Sequence, residues 1–173
     1  MLLDMTENNY AFIDSQNMHL GIRALGWFLD LKRFRTYLKD KYAITTALFF
    51  IGYVPGNESL YREIQEAGFI CIFKPTMELH DGTVKGNVDA DLVMNVMLEL
   101  ENFDRALLVT GDGDFQCLAR YLLERNKLVS ILVPNQRNYS GLFKFYKFRN
   151  MLRFMSDLKE KIGKRKDPAR TNP

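Results

Sequence analysis

Short apolar runs alternate with amphipathic stretches along most of the chain. The runs are rich in β-branched and aromatic residues and predict strands at residues 10–13, 44–54, 69–73, 105–110 and 128–133. The amphipathic stretches have apolar residues at helical spacing and predict helices at residues 31–42, 58–67, 89–100, 115–125 and 140–148. Strands that alternate with helices pair side by side in parallel. The pattern therefore predicts a mainly parallel sheet with helices on both faces.

Local signals mark where several of these elements begin and end. Asp30 is a suitable N-cap for the helix that starts at Leu31, and Asn57 is a suitable N-cap for the next helix. Gly68 fits the left-handed position that follows a helix. The stretch 76–88 is polar, contains two glycines and is long for a connection, so we interpret it as a functional loop.

The composition indicates one folded domain without a membrane segment. The 173 residues are 47% hydrophobic, yet no uninterrupted apolar run reaches the about 18 residues of a membrane span. The N-terminus lacks the basic start and long apolar run of a secretory signal, so we expect a cytoplasmic protein. We divide the chain into an N-terminal extension (1–9), one domain (10–158) and a basic flexible tail (159–173).

Cysteine and histidine are too few for two common kinds of catalytic site. Cys71 and Cys117 lie in apolar surroundings and form no CxxC pair, so we interpret them as reduced thiols of the core. His19 and His80 are the two histidines of the chain. This excludes the usual Cys/His zinc site and disfavours a Ser-His-Asp triad. Any catalysis must therefore depend mainly on carboxylates.

Positive charge is concentrated in the last third of the chain. No Asp or Glu occurs between residues 125 and 156, whereas Lys and Arg occur throughout this span and the tail. Such asymmetry favours a polyanionic partner, because Lys and Arg release counterions from phosphates; a solvated basic surface is the alternative. Aromatic residues lie among these cations, either as a stacking surface for single-stranded RNA or as part of the core. The interleaved residues are Tyr139, Phe143, Lys144, Phe145, Tyr146, Lys147, Phe148 and Arg149.

Aspartates follow two of the predicted strands. Asp14 comes directly after the first strand, and Asp112 and Asp114 follow the fourth strand, separated by Gly113. In parallel α/β sheets, ligands bind beyond the carboxyl ends of the strands. A helix cap or a turn explains one aspartate at each strand end. It does not explain the second aspartate after the fourth strand, or the glycines of the same turn.

A further acidic group lies at the start of the helix predicted at residues 89–100. Asp91 and Asn95 are four residues apart and share one helix face, while Asp89 can cap the helix or interact with its positive end. Two carboxylates about 4 Å apart repel by about 4 kcal/mol at an effective dielectric of about 20, so a bound cation explains such clustering. Oxygen ligands favour Mg²⁺ or Mn²⁺. Together with a basic surface, they point to phosphodiester hydrolysis.

Three segments resemble the motifs of NYN domains, specifically the bacterial LabA-like group. They are FIDSQN (12–17), KGNVDAD (85–91) and VTGDGDF (109–115). Their order and spacing agree with the family over nearly the whole chain outside the tail. The resemblance implies a PIN-like fold, which is a three-layer α/β/α architecture with a mainly parallel five-stranded sheet in the order 3-2-1-4-5. It also implies a metal-dependent ribonuclease.

The resemblance further implies roles for individual residues. Asp89 and Asp91 both match family acids, so it stays open which of them faces the metal. Asn17 resembles the residue that orients the first aspartate or the substrate. Many relatives carry an acid where this chain has Asn95, which offers an oxygen ligand but no charge. The implied metal ligands are Asp14, Asp89, Asp91, Asn95, Asp112 and Asp114, and the implied catalytic carboxylates are Asp14, Asp91, Asp112 and Asp114.

Our interpretation is a ribonuclease that uses Mg²⁺ or Mn²⁺ and acts on single-stranded RNA. Lys85 is placed to contact a phosphate or is an ordinary surface lysine, and Ser15 and Thr110 are placed to hydrogen-bond a metal-bound water or serve as plain turn residues. The alternative is a non-catalytic regulatory module of the same fold that binds RNA or protein, which the uncharged Asn95 favours. A phosphatase of small phosphate esters ranks last, because its DxDxT motif is absent. Apolar residues at 151, 152 and 154 fit either a homodimer contact or the core.

Overall fold

The computed structural model describes residues 7–75, 77–78, 84–85 and 88–165, except for the side chains of residues 75, 77, 78, 84, 85 and 146. The predicted functional loop at 76–88 lies largely outside the described residues, as do the side chain of Lys85 and the last part of the predicted tail. Two short strands in this loop region, Met77–Glu78 (β4) and Val84–Lys85 (β5), pair with each other in antiparallel fashion.

The main sheet has six strands and is parallel throughout. Its strands are β1 (Asn9–Asp14), β2 (Ile44–Tyr53), β3 (Ile70–Pro75), β6 (Ala106–Val109), β7 (Leu128–Val133) and β8 (Leu152–Phe154). The spatial order is β3-β2-β1-β6-β7-β8, so β1 lies in the middle between β2 and β6. The expected order of the first five strands is confirmed. The sixth strand adds one position at the edge beside β7.

Helices cover both faces of the sheet, as the alternating pattern predicted. They are α1 (Ser15–Ala24), α2 (Leu31–Tyr42), α3 (Glu58–Glu66), α4 (Asp89–Leu98), α5 (Gln116–Glu124) and α6 (Lys159–Ile162). One apolar layer includes Met18, Phe34 and Ile64 of α1, α2 and α3. The opposite layer includes Leu92 of α4 and Leu118 of α5. The three-layer α/β/α architecture implied by the family resemblance is therefore confirmed.

The helix predicted at residues 31–42 has the same bounds in the structure. The side chain of Asp30 accepts the backbone N–H of Arg33 at 3.0 Å, which satisfies one of the free donors at the helix start. At the end of α3, Gly68 has a φ of +93°, the left-handed conformation predicted for it. The prediction did not include α1. Only Met18 and Ile22 of its apolar residues are well buried, so its periodicity is weak.

The single helix predicted at residues 140–148 is wrong. The structure has two short 3₁₀ helices there, Gly141–Lys144 and Tyr146–Phe148. Phe143 and Phe148 are both fully buried, and their ring centroids lie 5.9 Å apart. Five residues span about 140° around an α-helix, so one α-helix would point these rings in different directions. Two 3₁₀ turns bring both rings into the core.

Part of the predicted tail is packed against the domain. Lys159–Ile162 is helical, and the side chain of Ile162 is fully buried. The guanidinium of Arg33 donates to the carbonyl oxygens of Gly163 at 2.7 Å and Glu160 at 3.0 Å. One buried apolar residue in a short basic stretch is a weak signal in sequence, so the pattern did not predict this helix. Its contacts with α2 hold it against the domain.

The two cysteines differ in their surroundings. Cys71 is half-buried against the core and Cys117 is exposed, so the interpretation of Cys117 as a core residue is wrong. Both are free thiols. No helix in the described part of the chain is long and apolar enough to cross a membrane.

Candidate metal centre

Asp14 lies at the carboxyl end of the central strand, where β1 passes directly into α1. Its carboxylate is buried and caps α1 by accepting the backbone N–H of Asn17 at 3.1 Å. It also accepts the hydroxyl of Thr110 at 3.2 Å. Thr110 follows β6, the neighbour of β1 in the sheet. The two strand ends that carry the predicted site residues are therefore joined by a direct hydrogen bond.

The turn from residue 111 to residue 114 is held by side chains from both of these strand ends. Asn17 accepts the backbone N–H of Gly111 at 2.7 Å, and the hydroxyl of Thr110 accepts that of Asp112 at 3.1 Å. Asp112 in turn accepts the backbone N–H of Asp114 at 3.0 Å, which caps the short helix that leads into α5. Asn17 and Thr110 thus orient the acidic turn.

Three carboxylates converge beside this turn. One oxygen from each of Asp89, Asp112 and Asp114 lies within 4.8 Å of the others. Asp89 is the first residue of α4, a helix that packs on β1 and on the turn, so two distant segments of the chain supply the cluster. Asp89 and Asp112 are half-buried and Asp114 is exposed. We call this group the acidic cluster.

Asp14 is within the electrostatic field of the acidic cluster. Burial raises its carboxyl pKa most strongly, and the charges of Asp89 and Asp112 raise it further. The hydrogen bonds from Asn17 and Thr110 oppose this rise without cancelling it. The electrostatics thus link Asp14 to Asp89 and Asp112, two members of the acidic cluster, at one edge of the sheet.

The donor set of the acidic cluster fits a hard divalent cation. All its ligand atoms are carboxylate oxygens, which Mg²⁺ and Mn²⁺ prefer. Among the described residues, neither Asp112 nor Asp114 forms an ion pair that would neutralise its charge. A cation bound among these oxygens would relieve their mutual repulsion. The fit rests on chemistry and spacing, and Asp14 interacts electrostatically with Asp89 and Asp112 of the acidic cluster.

Asp91 and Asn95 make their contacts outside the acidic cluster. The Oδ2 atom of Asp91 lies 2.6 Å from the ammonium nitrogen of Lys74, at the carboxyl end of β3. The amide of Asn95 donates to the carbonyl oxygen of Asp91 at 2.8 Å, within the same helix. Of the two acids that the sequence left open, the structure thus brings Asp89 into the acidic cluster and pairs Asp91 with a lysine.

Another predicted site residue, Ser15, is buried as the first residue of α1.

Two residues at or near the site, Lys74 and Ser140, were not predicted from the sequence. The backbone N–H of Ser140 donates to the carbonyl oxygen of Gly111 at 2.9 Å. A Cβ on Gly113 would lie 2.2 Å from the Ser140 hydroxyl, so glycine is needed there for close packing. Gly113 was a signal in sequence that another segment approaches the turn, as was Gly111, where a Cβ would lie 3.1 Å from the Cβ of Tyr139.

Comparisons with known proteins agree with this architecture. Residues 10–145 match the NYN domain family. The low amplitude and bright protein LabA of Synechococcus elongatus is 25% identical over 131 residues, covering 70% of each protein. A crystal structure of a Vibrio parahaemolyticus protein of unknown function superposes with a TM-score of 0.69 at 22% identity, covering 89% of this chain and 94% of that one. It shares the fold. Because the family match spans most of the sequence, the chain belongs to the NYN domain family, within which it is similar to the LabA-like group.

Proposed function

We propose that this protein is a ribonuclease that depends on a divalent metal ion and hydrolyses RNA phosphodiester bonds at the acidic cluster. The observation that carries the proposal is the convergence of Asp89, Asp112 and Asp114 within 4.8 Å at the carboxyl edge of a parallel sheet. This is the edge where open α/β sheets bind their ligands. Membership of the NYN domain family supports the same assignment.

Mg²⁺ or Mn²⁺ would be held by Asp89, Asp112 and Asp114, and such an ion supplies Lewis-acid chemistry that polarises a phosphate ester and lowers the pKa of a bound water. The buried carboxyl of Asp14 interacts electrostatically with two members of the acidic cluster, Asp89 and Asp112. Its two hydrogen bonds keep its side chain in one orientation. Asn17 and Thr110 hold the turn that carries Asp112 and Asp114. These contacts preorganise the carboxylates before substrate binds.

The basic last third of the chain supplies charge for a polyanionic substrate. The described cations of this segment include Arg137, Lys144, Lys147 and Arg149, all exposed. Ser140 and Leu142 of the same segment contact the turn that carries the acidic cluster. A phosphate backbone bound by these cations would therefore pass close to the carboxylates.

The experiment that tests the proposal is incubation of the purified protein with labelled, unstructured RNA and Mn²⁺ or Mg²⁺. We expect cleavage that stops in EDTA and falls by about a hundredfold or more in Asp112→Asn, because loss even of residues that only support metal ligands costs about 10- to 100-fold. Asp40→Asn is the matched control, since Asp40 is an exposed acid on α2. It should cleave as the wild type does.

The competing function is a non-catalytic module that binds RNA or protein. Asn95 favours it, because it lacks the charge of the family acid and uses its amide within α4. RNA binding without cleavage in either metal would establish this alternative. Cleavage that persists in Asp112→Asn would indicate a contaminating nuclease and refute the assignment.

A further inference from the structure

The chain segment that follows β7 runs across the turn that carries Asp112 and Asp114. A Cβ on Gly113 would lie 3.0 Å from the Cδ1 atom of Leu142, so the Leu142 side chain touches the backbone between the two aspartates. Ser140 hydrogen-bonds the same turn. The acidic cluster therefore has an apolar side chain directly beside it.

Two buried side chains of this segment pack in the core, and two other large apolar side chains are exposed to solvent. The buried rings of Phe143 and Phe148 hold it to the core. Leu142 is 47% exposed and Phe145 is 54% exposed. They are three residues apart along a 3₁₀ helix and its C-cap, a spacing that places side chains in one row. Neither exposed side chain is required to fill the core, so the fold alone does not explain them.

The charged residues of this segment itself are all cations, which suits binding to a phosphate chain. Lys144 lies between them in sequence, with its ammonium nitrogen 5.4 Å from the ring centroid of Tyr139. Lys147 and Arg149 are exposed on the same segment, and no acidic residue occurs between residues 125 and 156. An exposed ring among cations is the combination that binds single-stranded nucleic acid, whose bases stack and whose phosphates pair with lysine.

We propose that Phe145, with Leu142 beside it, forms a base-stacking subsite for single-stranded RNA and that Lys144 contacts the adjacent phosphate. The inference rests on the proposed function, because it assigns a path for the strand that enters the acidic cluster. It adds a preference for unpaired substrate. In a duplex the base faces are already covered by their neighbours, so Phe145 has no ring to stack on.

Binding of a short fluorescent RNA in EDTA tests this subsite without any cleavage. Phe145→Ala should weaken the binding of single strands by about 5- to 150-fold, the range measured when a stacking aromatic residue is removed. Phe145→Trp should restore the binding. Lys144→Ala should lower the slope of log affinity against log salt by about one phosphate contact.

The matched control is Phe28→Ala. Phe28 is 65% exposed and lies beyond the far end of α1, a helix that starts at the site and runs about 15 Å away from it. It should bind single strands as the wild type does. Because Phe145 is exposed, the melting temperature of Phe145→Ala should match that of the wild type.

The outcomes separate this inference from the proposed function. Equal affinities of Phe145→Ala and Phe28→Ala for single strands would overturn the stacking subsite even if the wild type cleaves RNA. An equal loss of affinity for single strands and duplex would overturn it too. Binding that depends on Phe145 in a protein that cleaves nothing would support the subsite and refute the nuclease. Failure of the wild type to bind single-stranded RNA would overturn both.

Discussion

Removal of the charge on Asp112 tests whether the acidic cluster is built for a cation. With the carboxylate oxygens of Asp89, Asp112 and Asp114 within 4.8 Å, two full charges at that separation repel by about 0.9 kcal/mol in bulk water and by about 3.5 kcal/mol at an effective dielectric of about 20. Asp114 is exposed and the other two are half-buried. The lower value is therefore the better guide for each pair.

Asp112→Asn relieves two of these repulsions and keeps an oxygen that can accept the backbone N–H of Asp114. We therefore expect the free energy of unfolding in EDTA to rise by about 1–2 kcal/mol. For a chain of this size, each kcal/mol raises the melting temperature by about 2–4 °C. Most surface substitutions change stability by less than about 0.5 kcal/mol, so a gain of this size would indicate that charge repulsion has been relieved.

The assay is thermal or urea unfolding in EDTA and again with excess Mn²⁺. Mn²⁺ at about 100 times its dissociation constant should stabilise the wild type by about 2.7 kcal/mol through mass action. The same concentration should stabilise Asp112→Asn much less, and Asp40→Asn as much as the wild type. A loss of stability for Asp112→Asn in EDTA would refute the reasoning. It would mean that Asp112 stabilises the turn and that repulsion among the three carboxylates does not destabilise the protein.

Three further predictions concern other contacts. A double-mutant cycle of Lys74→Met and Asp91→Asn, measured by urea unfolding, should give a coupling free energy of about 0.5–1 kcal/mol. The value is small because the two side chains are 32% and 44% exposed and water screens the pair. A coupling of zero would show that this ion pair does not stabilise the protein. Iodoacetamide should modify exposed Cys117 faster than Cys71 at pH 8, because burial raises the pKa of the Cys71 thiol and so lowers its thiolate fraction; mass spectrometry of each Cys→Ser variant measures the two rates, and equal rates would contradict the burial. Ile162→Ala should lower the free energy of unfolding by about 2 kcal/mol or more, because the side chain is fully buried; an unchanged unfolding midpoint would show that α6 is a dispensable tail.

Much of the fold could be predicted because its signals are local. Each of the first five strands of the main sheet is a concentrated apolar run, and helices between them require parallel pairing. The errors fall where the local signal is weak. β8 is only three residues long, and the segment around Phe143 and Phe148 has an apolar spacing that mimics an α-helix without forming one. In both places contacts with distant residues decide the structure.

The sequence by itself determined which acids stand at the carboxyl ends of the strands. Asp14 and Asp112 follow two apolar runs, and parallel pairing of those runs brings their ends to one edge of the sheet. Only the tertiary structure shows that Asp89, rather than Asp91, lies in the acidic cluster. Two residues apart on a helix, they point about 160° away from each other, so the rotation of α4 about its axis selects one of them. Burial of Leu92 on the sheet sets that rotation, turning Asp89 toward the acidic cluster and Asp91 toward its lysine on β3.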